Sequence, residues 1–439
     1  MRRHRIDFGT GKGKDEPGVI ITLVAVFMLF VVGAMAALSI DVVTIYTARS
    51  EAQLAADSAA LAAARVLANS GATSDGTGTL LTSVESSSGP AQAVALQVAE
   101  QNQVGGVNLT SSQITVTFPP SGTVANPTVN VKIQTNLPTF FARIWGRTQV
   151  TVAASGTAEA YNPSATGVVM TGGPLRPPAA PICVKPWLLP NISPKTGGPI
   201  FNAATGGISD TTLLGWSSVG SSPPMPMSVS CTGGNCGTAL LLPSPWQYYP
   251  GDPATTFPPP TTSLPSCSPA LSSGYQESIA GCIQVPISCN TSSANIDFSN
   301  YPNRSAETAS AVNCLTHATN NGGDSVASPS PPSAPFQFVA GADNPIPGLA
   351  NSDVMVSDSL VTVPVFDNTG FAATTTNVPI IGFVQLFLNP IGNAAPGTGN
   401  IDTTVVNLAG CGTPGSGASG TAIVGNGASP VAVRLISPP

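Results

Sequence analysis

An uncharged, strongly apolar stretch of 23 residues, 18–40, constrains the fold of this chain more than any other feature. A helix rises about 1.5 Å per residue, so this stretch spans about 35 Å, enough to cross a hydrocarbon core of about 30 Å. Five of the 15 basic residues precede it, namely Arg2, Arg3, Arg5, Lys12 and Lys14. Because basic flanks stay on the cytoplasmic side, we predict a cytoplasmic tail at 1–17, a transmembrane helix at 18–40 and export of everything that follows.

A secretory signal peptide is the alternative interpretation of residues 18–40. Ala34-Met35-Ala36 has the small residues of a cleavage site. The apolar stretch is longer than the core of a signal peptide, which has about 7–15 residues, and helix-forming sequence continues beyond it. An uncleaved single-pass anchor is therefore the preferred prediction, with release of the body by cleavage near Ala36 as the alternative.

The composition excludes several classes of function. Charged residues make up 8% of the chain, against about 25% in ordinary soluble domains. The net charge is −6, and too few basic residues follow the apolar stretch to form a nucleic-acid-binding face. The only histidines are His4 and His317, which leaves little for acid–base or metal chemistry. We therefore predict that the protein is not an enzyme, binds no nucleic acid, and has no cofactor, metal or small-molecule substrate.

All cysteines follow the apolar stretch, and their number is even. They are Cys183, Cys231, Cys236, Cys267, Cys282, Cys289, Cys314 and Cys411. This distribution predicts disulfides in an oxidising compartment, with the connectivity left open. Cys231/Cys236 and Cys282/Cys289 are candidate local pairs. A metal site at Cys314-x-x-His317 is disfavoured, since a zinc site needs four ligands at recognisable spacing.

Helical patterns continue beyond the apolar stretch. Alanine is frequent from 41 to 69 and has the highest helix propensity, and Asn69-Ser70-Gly71 provides the stop. Alanines recur every fourth residue, which either allows another backbone to approach closely or merely makes a stable helix. A Ser/Gly/Thr-rich linker is predicted at 70–89. A second helix is predicted from Pro90 to Gly105-Gly106, with Val94, Leu96 and Val98 as its apolar positions.

Alternating apolar and polar residues then predict strands at 114–118, 129–134 and 150–152. An amphipathic segment at 138–146 lies between the last two. We expect its Phe140, Phe141, Ile144 and Trp145 to cover one face of the sheet. Residues 41–160 are thus predicted to form a small α+β domain with an antiparallel sheet.

Residues 161–439 contain 37 of the 43 prolines. Interior proline costs a helix about 3 kcal/mol, so we expect no helix of ordinary length there. Strands are predicted at 353–366, 378–388 and 431–436, and flexible loops at 320–335 and 411–430. The overall prediction is an α+β chain: one transmembrane helix, an Ala-rich helical extension, a small antiparallel-sheet domain, and a Pro/Gly-rich, disulfide-stapled, mostly β region.

Polar residues and alanines form an ordered set immediately after the apolar stretch. Asp41, Tyr46, Arg49 and Gln53 are followed by Ala55-Ala56-Asp57 and Ala59-Ala60-Leu61-Ala62. This set resembles the amino-terminal signature of the TadE/TadG-like family of Flp (tight-adherence) pilus-assembly proteins. The resemblance extends through 137–146 and 149–160, the first third of the chain.

The resemblance implies a bitopic protein of the bacterial inner membrane that takes part in assembly or anchoring of a thin adhesive pilus. Its carboxyl-terminal body would be periplasmic or extracellular. Some relatives carry a metal-binding D-x-S-x-S motif, which this sequence lacks. The alternative function is a secreted or cell-surface binding module, an adhesin, released by cleavage.

Tyr46, Arg49, Gln53 and Asp57 fall three and four residues apart, so on a helix they form one polar stripe. We define the candidate partner-contact set as Asp41, Tyr46, Arg49, Gln53, Ala56, Asp57 and Ala60. Small residues beside polar ones suit close helix packing, so we expect contact with a pilin helix or a helix of the secretion platform, in addition to the lipid bilayer. The alternative is a solvated face with an internal Arg49–Asp57 pair.

Overall fold

The computed structural model describes residues 17–119, 126–164, 178–217, 243–261, 264–288, 293–298, 301–317, 322–327, 335–354, 356–372, 375–389, 399–411, 423–425 and 429–436. Its helices are α1 Pro17–Asn69, α2 Thr79–Val84, α3 Pro90–Glu100, α4 Gly274–Ala280 and α5 Tyr301–Leu315. Its strands are β1 Gln103–Val104, β2 Val107–Asn108, β3 Ile114–Thr117, β4 Thr128–Pro138, β5 Gln149–Tyr161, β6 Ala179–Ala180, β7 Trp187–Pro190, β8 Tyr249–Pro250, β9 Ser293–Asn295, β10 Ser325–Ala327, β11 Gln337–Val339, β12 Asp353–Val354, β13 Leu360–Phe366, β14 Asn377–Leu388, β15 Thr403–Gly410, β16 Ile423–Val424 and β17 Ala432–Leu435.

Helix α1 runs without a break from the start of the apolar stretch to Asn69. Neither glycine nor proline occurs between Gly33 and Gly71, so no residue in this interval interrupts the helix. Gly71 then adopts a left-handed conformation, with φ at +80°, as is common just after a helix. The predicted continuation of the helix from the apolar stretch through the alanine-rich segment is therefore confirmed.

A four-stranded antiparallel sheet packs against the alanine-rich half of α1, in the strand order β17-β5-β4-β3. Strands β3, β4 and β5 correspond to the three alternating patterns, and the predicted inward residues of β4 are buried. Strand β17 comes from the far end of the chain, and its Arg434 forms an ion pair with Glu159 of β5. The sheet therefore contains residues from both predicted regions, 41–160 and 161–439.

A second, mixed sheet has the order β15-β14-β13-β7-β8, and β9 pairs with β14. Strands β13 and β15 are buried along their whole length. The strands predicted at 378–388 and 431–436 are confirmed as β14 and β17, whereas the one at 353–366 is divided into β12 and β13. The large residues of its core include Trp187, Phe201, Tyr248, Tyr275, Val363 and Leu386.

The expectation that residues 161–439 contain no helix of ordinary length is wrong, because α5 has 15 residues. Prolines are unevenly distributed there: none occurs between Pro302 and Pro329. Pro302 lies in the first turn of α5, where no helical hydrogen bond needs its missing N–H. The two loops predicted at 320–335 and 411–430 lie largely outside the described residues, although β10 and β16 fall within them.

The predicted linker at 70–89 is also corrected, since it contains α2 and several buried polar residues. Asn407 of β15 is fully buried and donates from Nδ2 to the Ala68 carbonyl (2.7 Å) and to Thr73 Oγ1 (3.1 Å). Asn162 donates to the Leu408 carbonyl at 2.8 Å. The end of α1 is thus joined to the second sheet through hydrogen-bonded amides, an arrangement that stabilises buried polar groups.

Two disulfides are described, Cys183–Cys282 and Cys267–Cys314. The predicted local pair Cys282/Cys289 is therefore wrong, because Cys183 lies beside the segment that follows α4, where its N–H donates to the Ile283 carbonyl at 2.8 Å. Cys411 is also disulfide-bonded, while Cys231, Cys236 and Cys289 lie outside the described residues. The general prediction of disulfides in the part of the chain that follows the apolar stretch is confirmed.

Candidate functional site

The two halves of α1 have opposite environments. From Ile20 to Ile40 its large apolar side chains are exposed, and this half is long and apolar enough to cross a membrane. Burial begins at Asp41, and from Ala48 onward one face of the helix packs against the four-stranded sheet and α3. The change from exposed to buried residues therefore occurs at Asp41, next to the predicted end of the transmembrane helix at residue 40.

The alanine face of α1 is packed inside the chain itself. Ala52, Ala55, Ala56, Ala59, Ala60 and Ala63 have no exposed surface. They contact β4, β5 and α3, whose own Ala95 and Ala99 belong to the same core. The close backbone approach that the alanine spacing predicts is confirmed, but the approaching segments are β5 and α3. The assignment of Ala56 and Ala60 to a partner helix is therefore corrected, because both are used within the fold.

Helix α3 also packs through its alanines and not through its larger apolar residues. Its predicted apolar positions Val94, Leu96 and Val98 are only half-buried, whereas Ala91, Ala95 and Ala99 are fully buried. Alanines on both helices allow their axes to lie close together, as small residues do in general.

Two residues of the polar stripe of α1 bond at the sheet, and the other two are exposed on the surface. Gln53 Nε2 donates to Asp57 Oδ1 at 2.8 Å and to the Ser155 carbonyl of β5 at 3.0 Å. These bonds hold both residues against the sheet. Tyr46 is 77% exposed, and Arg49 is exposed as well. Of the predicted contact set, Tyr46 and Arg49 are thus most accessible to a partner.

Sequence reasoning missed the most exposed apolar position of this surface, Leu54, which is 67% exposed. Val43, Tyr46, Ser50 and Leu54 lie on one side of α1, three and four residues apart. We call these four residues the exposed stem face. The signal that could have identified it is the spacing of these positions by three and four residues.

Asp41 is 3% exposed and fixes a distant loop. Its carboxylate accepts backbone hydrogen bonds from Phe140 (2.9 Å), Phe141 (3.0 Å) and Ala142 (2.7 Å). These N–H groups begin the short 3-10 helix Ala142–Trp145 in the turn between β4 and β5. Burial raises the pKa of the Asp41 carboxyl, but the three donors outweigh it and hold the pKa below its usual value.

Replacing Asp41 with asparagine is expected to release this turn. One amide oxygen cannot accept all three N–H donors, and the amide hydrogens would face them, at a cost of about 1–3 kcal/mol. In detergent, trypsin should therefore cut the variant faster than the wild type after Arg143 and Arg147, both of which are exposed.

Glu51→Gln is the matched control, because Glu51 is another α1 carboxylate that accepts a backbone bond, from Gly105 at 2.7 Å. It should leave cleavage at Arg143 and Arg147 unchanged. Equal cleavage of wild type and Asp41→Asn would show that Asp41 does not hold the turn.

The pH dependence of this contact follows from the lowered pKa of Asp41. A carboxyl with a lowered folded-state pKa stabilises the fold above its ordinary pKa, 3.8 for Asp41, and this stability is lost as the pH falls through the folded value. Tryptic cleavage of the wild type at Arg143 cannot be followed at such acidity. Pepsin digestion from pH 5 down to pH 2 should instead show opening of the turn only below about pH 4.

Clusters of side chains that could bind a metal ion or take part in catalysis are few in the part of the chain that the structure describes. No group of three or more His, Cys, Asp or Glu side chains that could hold a metal ion occurs there. His317 forms an ion pair with Asp358, 3.0 Å from Nε2 to Oδ2. That pair raises the pKa of His317 and joins the end of α5 to the segment before β13.

Residues 18–66 match the model of a protein family described as "Putative Flp pilus-assembly TadE/G-like". The match lies entirely within α1, so the resemblance at 137–146 and 149–160 stays a prediction. A comparison with curated proteins found no match, and neither did a comparison with solved structures. The recognition made from Asp41, Tyr46, Arg49 and the alanines that follow is confirmed: this amino-terminal segment matches the TadE/G-like Flp pilus-assembly family.

Proposed function

We propose that this chain is a non-enzymatic, bitopic membrane protein that takes part in assembly or anchoring of a Flp/Tad-type adhesive pilus. The observation that carries the proposal is the construction of α1. One continuous helix exposes an apolar half long enough to cross a bilayer, and its other half is the central helix of a folded domain. The family match at 18–66 covers both halves.

This construction suits an anchor with a fixed geometry. A helix that crosses the membrane boundary without a flexible linker transmits the orientation of the domain to the membrane span. The amino terminus would be cytoplasmic, because of its five basic residues, and the domain would be periplasmic or extracellular. Localisation in the inner membrane follows from the family resemblance.

The alternative is a secreted or cell-surface adhesin released by cleavage near Ala36. Such cleavage would leave Leu38, Ile40, Val42 and Val43 on the soluble product, each more than half exposed. A short apolar stub of this kind is unfavourable in water. The continuous helix therefore favours the anchor.

Fractionation of cells that express the full chain with a carboxyl-terminal tag separates the two functions. The anchor predicts a full-length band that stays in the membrane after carbonate extraction. A soluble product whose amino terminus maps near residue 37 would overturn the anchor and support the secreted module.

We expect the exposed stem face to contact a pilin helix or a helix of the secretion platform. Replacing Tyr46 and Leu54 together with alanine should reduce surface piliation severely while the membrane level of the protein is unchanged, because neither side chain is needed for the fold. Piliation can be measured by electron microscopy and by sheared pilin yield.

Val107→Ala is the control, since Val107 is a similarly exposed apolar residue on the β1–β2 hairpin. Its piliation should equal that of the wild type. Normal piliation in the Tyr46/Leu54 variant would contradict partner contact at the stem face. Normal piliation in a strain that lacks the protein would contradict the pilus function itself.

A further inference from the structure

The turn between β4 and β5, residues 139–148, carries an unusual group of exposed side chains. Phe140 is 60% exposed, Ile144 74% and Trp145 59%. We call this turn the membrane-proximal loop. The expectation that Phe140, Ile144 and Trp145 cover one face of the sheet is wrong, because all three are exposed, whereas Phe141 is half-buried. The turn instead presents an apolar surface that the described chain does not cover.

The position of the membrane-proximal loop follows from the course of β5 along α1. Ser155 lies beside Gln53, and Gly156 lies against Ala56 and Asp57. The strand therefore runs alongside the helix, and its beginning lies at the end of α1 nearest the apolar half. The turn that precedes β5 is at that same end.

Asp41 fixes the level of the loop more closely. It is the first residue after the apolar stretch, so it lies about 1.5 Å further along the helix axis than Ile40. Its carboxylate holds the N–H groups of Phe140, Phe141 and Ala142 at 2.7–3.0 Å. The loop thus lies beside α1 at the level where the helix would leave the hydrocarbon.

The chemistry of the loop suits a phospholipid surface. Tryptophan and other aromatic side chains are enriched where the headgroups meet the acyl chains. Arg143 and Arg147 are both exposed, and residues 139–148 contain no acidic residue. This local positive charge contrasts with the net charge of −6 of the whole chain. Basic side chains at this level can contact lipid phosphates.

We propose that the membrane-proximal loop is a second membrane contact. It inserts Phe140, Ile144 and Trp145 into the boundary between headgroups and acyl chains on the exported side of the membrane that α1 spans, with Arg143 and Arg147 at lipid phosphates. The inference rests on the proposed function in one respect, that α1 is an uncleaved anchor. A helix alone leaves the domain free to rotate and tilt, whereas two attachment points fix the face that it presents to partners.

The full-length protein, reconstituted into vesicles of phosphatidylethanolamine and phosphatidylglycerol, provides the test. Lipids brominated near the carbonyl end of the acyl chains quench tryptophans at the interface. We expect strong quenching in the wild type and loss of most of it in Trp145→Phe. Trp216→Phe is the matched control, because Trp216 is half-buried beside Trp246 in the second domain. That variant should keep the quenching.

Flotation of the same vesicles separates failure of this inference from failure of the anchor. Protein that floats with the vesicles after carbonate treatment, but shows equal quenching in wild type and Trp145→Phe, would overturn the loop contact and leave the anchor intact. Protein that does not float would overturn the anchor as well.

A protein partner is the competing occupant of the loop. A photocrosslinker at residue 144 that links only to lipid in cells supports the inference. An efficient crosslink to one protein, together with no bromolipid quenching in vesicles, would overturn it.

Replacing Arg143 and Arg147 with glutamine tests the contact with lipid phosphates. The replacement should lower the quenching more in vesicles rich in phosphatidylglycerol than in neutral vesicles. Arg65→Gln is the control, at an exposed site near the far end of α1, and it should leave the quenching unchanged.

Discussion

Replacing Ala56 and Ala60 together with leucine is expected to destabilise the domain around α1, rather than only to weaken a contact with a partner. Both alanines have no exposed surface. A Cβ atom built on Gly156 of β5 would lie 2.8 Å from the Ala56 carbonyl oxygen and 2.5 Å from Asp57 Oδ1, which shows how closely the strand approaches the helix. No space exists there for a larger side chain.

The expected cost is about 1–3 kcal/mol for each overpacked position. Because the two sites lie one helical turn apart on the same face of α1, their effects need not add. Thermal unfolding of the full chain in detergent, followed by near-UV circular dichroism, should show a lower midpoint. Leucine ranks next to alanine in helix propensity, so most of the loss would report packing.

The double variant Thr47→Leu/Ser50→Leu is the matched control, since it adds two leucines to exposed positions of the same helix. Its unfolding midpoint should stay close to that of the wild type. A wild-type midpoint for Ala56→Leu/Ala60→Leu, combined with lost piliation, would contradict the packing seen here and return both alanines to a partner interface.

Removing the Cys183–Cys282 disulfide, with alanine at both positions, is expected to lower the free energy of unfolding by about 2–4 kcal/mol. The bond joins residues 99 apart in sequence, so it restricts the unfolded chain strongly. In the folded state the same junction is also held by Lys185, whose Nζ donates to the carbonyls of Ile279 (2.6 Å) and Gly281 (2.7 Å). Those bonds do not restrict the unfolded chain, so they cannot replace the disulfide.

The Cys267–Cys314 disulfide provides the comparison, because it closes a shorter interval of 47 residues. In the chain-entropy description its removal should cost less by about 0.7 kcal/mol. Urea unfolding of both double-alanine variants, measured in detergent, tests the order. A larger loss on removing Cys267–Cys314 would contradict an entropic origin of the stabilisation.

Local patterns predicted much of the amino-terminal architecture. Frequent alanine, with no glycine or proline between Gly33 and Gly71, predicts α1. Alternating apolar and polar residues predict β3, β4 and β5. Both patterns depend only on residues that are close in sequence. The predicted start of helix α3 at Pro90 is confirmed, but the helix ends at Glu100 and not at Gly105-Gly106, because Gln103–Val104 forms β1 and pairs with β2. Strand β15 was missed because its sequence lacks clear alternation of apolar and polar residues. Helix α5 was missed because the average proline content of residues 161–439 is high, although residues 303–328 contain no proline.

The sequence predicted which residues of α1 make specific contacts better than it predicted what each of them contacts. Tyr46 and Arg49 are exposed, as a contact surface requires. Gln53 donates a hydrogen bond to β5, and Ala56 and Ala60 are buried in the core of the same chain. A sequence pattern shows that a helix face can be approached closely, but not whether the approaching segment belongs to the same chain. The role of Asp41 depends on a turn about 100 residues away, which no local pattern shows.

Local sequence features are sufficient to predict the long apolar helix, its continuation into an alanine-rich segment, and the disulfides in the part of the chain that follows. These features follow from hydropathy, helix propensity and cysteine placement, all of which are properties of short segments. The folded chain was needed to show that β17 completes the first sheet, that Cys183 pairs with Cys282, and that Phe140, Ile144 and Trp145 stay exposed beside the end of the apolar half. These depend on contacts between residues far apart in sequence, whose pairing is fixed by packing of the whole chain.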